Sequence, residues 1–520
     1  MPTEELRFFV ERYAEQMRQK EAAGESTAEK IHVDEIASKV AVFYEKVRSV
    51  IEYRDVHLLR KNAIERILRR RVFLKDFSED FAEPLVKELI RGGHLQNDVV
   101  PETKIADVQK IINNLFALLK LEKAGDDKAK SEISEWLVWM SASRIEEELF
   151  PSPDVALLSE TMYDVIKGNL TLKNIPLDED EVDLQLFVAV QRALFRPDRN
   201  QLQYLLLKIM HPNWGTFSET ELEATKGKLE TLKNTIEKIL KNSYAPYFFR
   251  LCNREKIIFQ LIGDLVFDKV PLDGDLESPI KFRYDKRYLK TKQQLRRLAF
   301  LSVASFLISK ILVAFAIEIP LDEYFYHGIS LLSLIINIGF PPLLMLTIVS
   351  FVKLPSKRNL TIVEVAVRQV IFRDHERSYL VAAPKKKSWF ASAFVYLAYG
   401  AVLYAILYYV ARWLWVLHFS PASIVIFLLF TSMVTATGVK VKNRAKEMNL
   451  EKETTSMRGF FVDLVTVPFM TIGRWTIAGL SQFNILVVAF DFLIELPFQL
   501  FVEFIENFRG FIREKKEEIN

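Results

Sequence analysis

The C-terminal half of the chain carries four long apolar runs, each sufficient to cross a lipid bilayer as a helix. A membrane-spanning helix needs about 20 mostly apolar residues, whereas a helix of a soluble core normally keeps a polar face. The runs cover residues 298–317, 328–352, 389–410 and 421–439, and Lys310 is the only charged residue in them. We therefore predict a multi-pass membrane protein whose first partner is the lipid bilayer.

Basic residues alternate between the connecting segments. Lys and Arg are frequent before the first run, in the loop at 353–388 and after residue 439, whereas the loops at 318–327 and 411–420 hold one basic residue, Arg412. Basic loops stay on the cytoplasmic side, so we expect both termini and the 353–388 loop to be cytoplasmic. The start of the chain lacks a signal-peptide pattern, and there is a single cysteine, Cys252. These features fit a prokaryotic inner (plasma) membrane best.

The segment at 453–520 is largely apolar, but polar residues interrupt it. Asp491, Glu495, Gln499 and Glu503 recur every four residues and form one polar stripe on an otherwise apolar helix. Such a helix lies in the membrane interface or packs against the bundle. We expect amphipathic interfacial or re-entrant helices here. A fifth span is the alternative, but it would place the C-terminus outside, against the charge pattern.

Residues 1–270 show helical periodicity and few alternating strand patterns. We predict a cytoplasmic α-helical region, with a possible division into two sub-bundles near 92–101. Residues 271–297 are expected to be a linker and a basic juxtamembrane segment, and 298–452 the membrane region. The predicted fold class is thus all-α: a helical cytoplasmic bundle, four transmembrane helices and a C-terminal amphipathic segment.

Lys310 is the first candidate for a functional residue, because a charge at the centre of a span costs about 2.5 kcal/mol or more to insert. It could serve a polar cavity or an anionic headgroup, or pair with Asp463, Asp491 or Glu495. A structural ion pair or a lysine reaching the interface is the simpler interpretation.

Two further features of the spans are candidates. Pro341 and Pro342 follow Gly339 in the second run, where they produce either a kink or a broken span that lines a binding site. Tyr396, Tyr404 and Tyr408 fall on one face of the third run. Their hydroxyl groups either bond to neighbouring helices, with Gly400 permitting close approach, or line a polar pore.

No signature of catalysis or of cofactor binding is present in the sequence. The phosphate-binding loop, the dinucleotide fingerprint, the zinc-protease motif and the nucleophile elbow are all missing. The seven histidines do not cluster, so we expect no metal site and no cofactor. A basic patch on an early helix consists of Arg60, Lys61, Arg66, Arg69, Arg70 and Arg71. We expect this patch to be solvated or to contact acidic segments. Attraction to an anionic membrane surface comes second, and nucleic acid is not expected as a partner.

The architecture favours a membrane-anchored scaffold or interaction protein, with protein partners at the cytoplasmic face. The alternative is a transporter or channel component for a small solute or lipid, using Lys310 and a broken second span. An enzyme is the least favoured class, because paired catalytic groups are missing.

Overall fold

The computed structural model describes residues 2–24, 30–32, 56–73, 80–95, 97–98, 100–121, 127–326, 331–352, 354–372, 377–384, 389–451 and 457–482. These residues are mostly helical, and four of their helices are long and apolar enough to cross a membrane. The prediction of a helical chain with four such helices is confirmed. The described residues fall into two compact units. The helical module takes in the described residues of 1–274 and 369–383, and the span unit those of 275–368 and 384–491.

Most of the helical module consists of helices of 8 to 23 residues. Its elements are α1 (Glu4–Gly24), α2 (Val56–Phe73), α3 (Ala82–Arg91), α4 (Thr103–Leu121), α5 (Asp127–Leu149), α6 (Pro153–Lys167), β1 (Leu170–Lys173), α7 (Glu179–Leu194), α8 (Arg199–Met210), α9 (Glu219–Lys226), α10 (Leu229–Leu240) and α11 (Ala245–Phe267).

Side-chain caps fix where several of these helices begin. Asp178 and Asp198 each accept a hydrogen bond from a backbone N–H in the first turn of α7 and α8. Ser218 and Glu221 form a capping box at the start of α9. The main core lies beneath these helices, with the rings of Trp136 and Trp214 5.8 Å apart inside it.

A small parallel sheet departs from the purely helical prediction. Strand β1 pairs in register with β2 (Tyr379–Ala382). The expected loop at 353–388 therefore contributes structure of its own: α15 (Lys357–Phe372), whose residues divide between the two units, and then β2. The strands are only four residues long, which is too short for an alternating pattern to be visible in the sequence.

The span unit contains α12 (Glu277–Val313), a π-helical turn (Ala314–Glu318), α13 (Ile319–Tyr326), α14 (Leu331–Ser350), α16 (Trp389–Val416), α17 (Pro421–Lys446) and α18 (Met457–Gln482). The first candidate span, Glu277–Tyr324, runs from α12 through the π-turn into α13. The helix starts at Glu277, well before the predicted run at 298–317. Its first turns are amphipathic and basic, so the apolar pattern does not reveal them.

Prolines do not end the helices of the span unit. Pro341 and Pro342 lie inside α14, which is continuous from Leu331 to Ser350. Of the two alternatives, a kink or a broken span, the described helix does not show the break. Pro468 likewise lies inside α18. This helix is the described part of the predicted C-terminal segment, and residues 483–520 lie outside the described residues.

Small residues let the helices of the span unit approach closely. A methyl group at Gly473 of α18 would overlap the Ser432 carbonyl oxygen of α17, and one at Gly438 of α17 would lie 2.7 Å from Ile348 of α14. Such close approach is typical of helix packing in membranes. The described part of the C-terminal segment thus packs against the neighbouring span α17.

Candidate functional site

Lys310 forms a buried ion pair within its own helical segment. Its side chain is 0% exposed, that of Glu318 is 1% exposed, and Lys310 Nζ donates a hydrogen bond to Glu318 Oε1. Glu318 Oε2 accepts a second bond from Asn337 Nδ2 of α14 at 2.8 Å. Lys310 Nζ also lies 4.9 Å from the centre of the Phe430 ring on α17, within cation–π range. Both oxygens of Glu318 are therefore engaged, and the pair joins three helical segments.

The partner of Lys310 differs from the predicted one. Glu318 falls in the predicted loop at 318–327, which follows the first apolar run and is acidic. The helix instead continues through a π-turn, a feature that is rare and often found at functional sites. Of the predicted partners, Asp491 and Glu495 lie outside the described residues, and the side chain of Asp463 does too.

A second carboxylate lies one turn further along. Asp322 Oδ2 accepts a hydrogen bond from Ser423 Oγ of α17 at 3.3 Å. Asp322 Oδ1 and Asn337 Oδ1 are buried and have no hydrogen-bond partner among the described residues. We call Lys310, Glu318, Asp322, Asn337 and Ser423 the intramembrane cluster. It holds one cation and two carboxylates, together with two oxygen atoms that remain free to accept a bond.

The tyrosine face of α16 is open rather than packed. Tyr396 is 75% exposed and Tyr404 is 70% exposed, and Tyr408 stacks on Tyr404 with ring centres 6.2 Å apart. A side chain at Gly400 would meet no atom within 4 Å. Within the described structure, these residues neither bond to a neighbouring helix nor line a pore. They form an aromatic surface that lipid or another protein can cover.

The basic patch on α2 is largely neutralised by acidic neighbours. Arg60 pairs with Glu146, Lys61 with Asp198, and Arg70 with Glu88. Arg69 pairs with both Glu65 and Glu135. The expected contact with acidic segments is present, and little free positive charge remains on this helix to attract an anionic surface.

One face of α1 lines an open groove of about 940 Å³ in the helical module. Leu6, Val10, Ala14 and Met17 recur at helical spacing along this face. The opposite wall includes Val266 and Leu272, at and beyond the end of α11, together with Phe372. The groove is therefore an apolar channel along one helix.

Aromatic contacts attach α1 to the module and leave the groove open. The rings of Phe9 and Tyr13 lie 5.9 and 5.0 Å from that of Phe267. The Thr3 backbone N–H donates to the Ile371 carbonyl at 2.9 Å. Val10, by contrast, is 38% exposed. The helix is thus held along one side, and beside it Val10 remains exposed and Ala14 and Met17 half-buried.

Charged side chains form the rim of the groove. Arg7, Glu11 and Arg18 follow one edge of α1, and Lys269 and Asp273 lie on the other wall. None of the five makes an ion pair with another described residue. This rim contrasts with the basic patch on α2, where the charges are already matched.

Sequence reasoning identified Lys310 but neither its partner nor the groove. The stripe on α1 was visible as a periodicity, and only tertiary structure shows that it is left uncovered. No group of three or more potential metal ligands occurs in the part of the chain that the structure describes. No known protein family, curated protein or solved structure matches this chain.

Proposed function

We propose that the protein is a membrane-anchored interaction protein whose helical module binds a helix of a partner protein in the groove beside α1. The observation that carries this proposal is the apolar face of α1 that lines the groove opposite a second apolar wall. On this face Val10 is exposed, Ala14 and Met17 are half-buried, and Leu6 is buried at the base. Grooves of this shape accept the apolar face of an amphipathic helix. The spans would hold the module at the cytoplasmic face of the membrane.

The rim suggests what kind of helix fits. Arg7 and Arg18 lie on the same edge of α1, about three turns apart. A partner with an apolar stripe and acidic residues about three turns apart would pair with both. Because these pairs would be exposed at the rim, they would add specificity and speed of association more than affinity.

The intramembrane cluster supports an anchoring role for the spans. Lys310 and Asn337 both donate hydrogen bonds to Glu318, and these bonds join α12, the π-turn and α14. An arrangement of this kind holds helices together without the need for a substrate.

Affinity purification of the full-length protein from native membranes tests the proposal. Val10→Asp places a charge in the groove at an accessible position, and Phe8→Asp is the matched control, since Phe8 is exposed on the same helix but does not line the groove. We expect wild type and Phe8→Asp to retain a partner that Val10→Asp loses. A synthetic peptide of that partner's acidic amphipathic helix should compete for binding. Identical partners for both variants would refute the groove as the binding surface.

A transport function is the second candidate, and the free oxygens of the intramembrane cluster favour it. The Asp322 carboxylate could accept a proton, and Asp322 Oδ1 and Asn337 Oδ1 could each contribute a ligand to a small cation. Proteoliposomes loaded with a pH-sensitive or sodium-sensitive dye test this. A proton or sodium flux that Asp322→Asn abolishes would support transport. The absence of flux with the wild-type protein would exclude the transport function.

A further inference from the structure

A second cavity, separate from the groove, lies between helices of the helical module. It measures about 930 Å³ and is bounded by α6, α7, α8 and the end of α5. Small-molecule sites are mostly apolar and occupy about 300–1,000 Å³. The apolar part of this wall includes Phe150, Phe187, Leu194, Leu205 and Ile209. In size and lining, the cavity resembles a ligand site.

Each charged side chain in the wall already forms an ion pair. Five charged side chains line the cavity, namely Lys61, Glu146, Glu147, Glu160 and Lys208. Their ion pairs are Lys61 with Asp198, Glu146 with Arg60 at 3.2 Å, Glu147 with Lys208 at 2.6 Å, and Glu160 with Arg12 at 2.7 Å. A charged ligand would find no free counter-charge and would lose its hydration.

Two amide side chains, by contrast, have unused hydrogen-bonding capacity. Gln191 lines the cavity and is 7% exposed, and its carboxamide makes no hydrogen bond with any other described residue. Gln201 Oε1 is buried and also lacks a partner in the described part of the chain. Tyr204, in the same wall, donates to Glu147 at 2.5 Å and is therefore occupied. The carboxamide of Gln191 lines the cavity with its hydrogen-bonding capacity unused, so it can bond to a ligand headgroup. The buried Gln201 Oε1 departs from the rule that buried polar groups have partners.

We infer that this cavity binds an uncharged amphipathic molecule with a hydroxyl or amide headgroup and an apolar body, the chemistry of a monoacylglycerol. The apolar wall receives the acyl chain, and Gln191 bonds to the headgroup. This assignment is independent of the groove, because the two sites share no lining residue.

The test uses the full-length protein in phosphatidylcholine nanodiscs and a monoacylglycerol that carries a photoreactive diazirine and an alkyne. After irradiation, labelled peptides are mapped and quantified by mass spectrometry. Ala156→Trp fills the cavity from an exposed position in its wall, and Ala224→Trp is the matched control on α9, exposed and remote from the cavity. Gln191→Leu removes the hydrogen bond while keeping the volume.

We expect the label on peptides of α6, α7 and α8. Ala156→Trp should reduce it to background and Ala224→Trp should leave it unchanged. Gln191→Leu should reduce labelling about fivefold, the factor that corresponds to one hydrogen bond of about 1 kcal/mol, and Gln191→Asn should retain more of it. Circular dichroism checks that each variant remains folded.

Three results would overturn the inference. Label confined to the spans would show that the probe reads only the bilayer. Equal labelling of Ala156→Trp and Ala224→Trp would place the probe elsewhere. Stronger labelling by a long-chain amine or an alkyl sulfonate carrying the same photoreactive group would show that the site selects charge, against an uncharged headgroup.

Discussion

Lys310 and Glu318 lie eight residues apart on one helical segment and bond to each other in the interior of the span unit. The π-turn between them adds one residue to a helical turn and so alters which side chains share a face. Pairing lowers the free-energy cost of burying both charges, because inserting an isolated charge into hydrocarbon is unfavourable.

Replacing Lys310 alone should destabilise the span unit strongly. Lys310→Met leaves Glu318 buried without its cation, and breaking one side of a buried pair costs about 3–5 kcal/mol. Lys290→Met, at an exposed position of the same helix, should have almost no effect. The double variant Lys310→Met/Glu318→Leu should recover most of the loss. Thermal unfolding in nanodiscs measures all three, and a double variant no better than Lys310→Met would contradict the pairing.

Two glycines of α18 should respond differently to the same change. A methyl group at Gly473 would overlap the Ser432 carbonyl oxygen, whereas one at Gly479 would meet no atom within 4 Å. Gly473→Ala should lower stability by about 1–3 kcal/mol, the usual range for overpacking. Gly479→Ala should be neutral or slightly stabilising. If both alanines lower the melting temperature equally, the close approach of α18 to α17 is wrong.

Asn359 should contribute strongly to the stability of the span unit, because its side chain links Tyr284 to the segment 448–450 through hydrogen bonds. Its amide donates to Tyr284 Oη at 2.9 Å and to the Met448 carbonyl at 2.7 Å, and its oxygen accepts from the Leu450 N–H at 2.8 Å. Asn359→Ala leaves these buried groups without partners, at a cost of about 1–3 kcal/mol for each group. Exposed Asn443 provides the control. Equal melting temperatures for Asn359→Ala and Asn443→Ala would exclude this role.

Two glutamates on α5 should give opposite pH dependences. Burial raises the pKa of Glu146 by more than the charge and the hydrogen bond of Arg60 lower it. Burial also acts to raise the pKa of Glu148, but hydrogen bonds and charge from Lys104 and Arg144 lower it overall. The stability due to a raised carboxyl pKa is present below the unfolded pKa and is lost as pH rises through the folded pKa. The stability due to a lowered pKa is present above the unfolded pKa and is lost as pH falls through the folded one.

Glutamine variants isolate the two effects. Relative to wild type, Glu146→Gln should gain stability as the pH rises from acid to neutral, and Glu148→Gln should lose stability over the same interval. Denaturant unfolding at several pH values measures both. Parallel pH profiles for the two variants would show that their environments do not differ in this way.

The sequence predicts the spans well because a bilayer requires about 20 consecutive apolar residues, and hydropathy measures this property directly. Helix ends are harder to predict. The first span begins at Glu277 because an amphipathic basic stretch continues the helix, and hydropathy detects only its apolar part. Glu318 falls in the predicted loop because the apolar run ends before it and further carboxylates follow, and nothing in the sequence indicates that a π-turn will extend the helix.

The candidate sites depend on tertiary structure to different degrees. Lys310 is visible in the sequence as the only charge in an apolar run, whereas its pairing with Glu318 requires coordinates. The α1 stripe is periodic, but its partial exposure depends on tertiary contacts such as those of Phe267, far along the chain, with Phe9 and Tyr13. Gln191 has no distinguishing sequence context at all.

The most direct test of the proposed function is site-specific photocrosslinking in living cells. A photoreactive amino acid at Val10 faces the groove, and the same residue at Ala224 reports an exposed surface elsewhere on the module. We expect a discrete adduct from position 10 alone, with the crosslink in an acidic-flanked amphipathic helix of one protein, and its loss when Arg7 and Arg18 are changed to glutamate. No adduct at position 10, or the same adducts from both positions, would contradict the account.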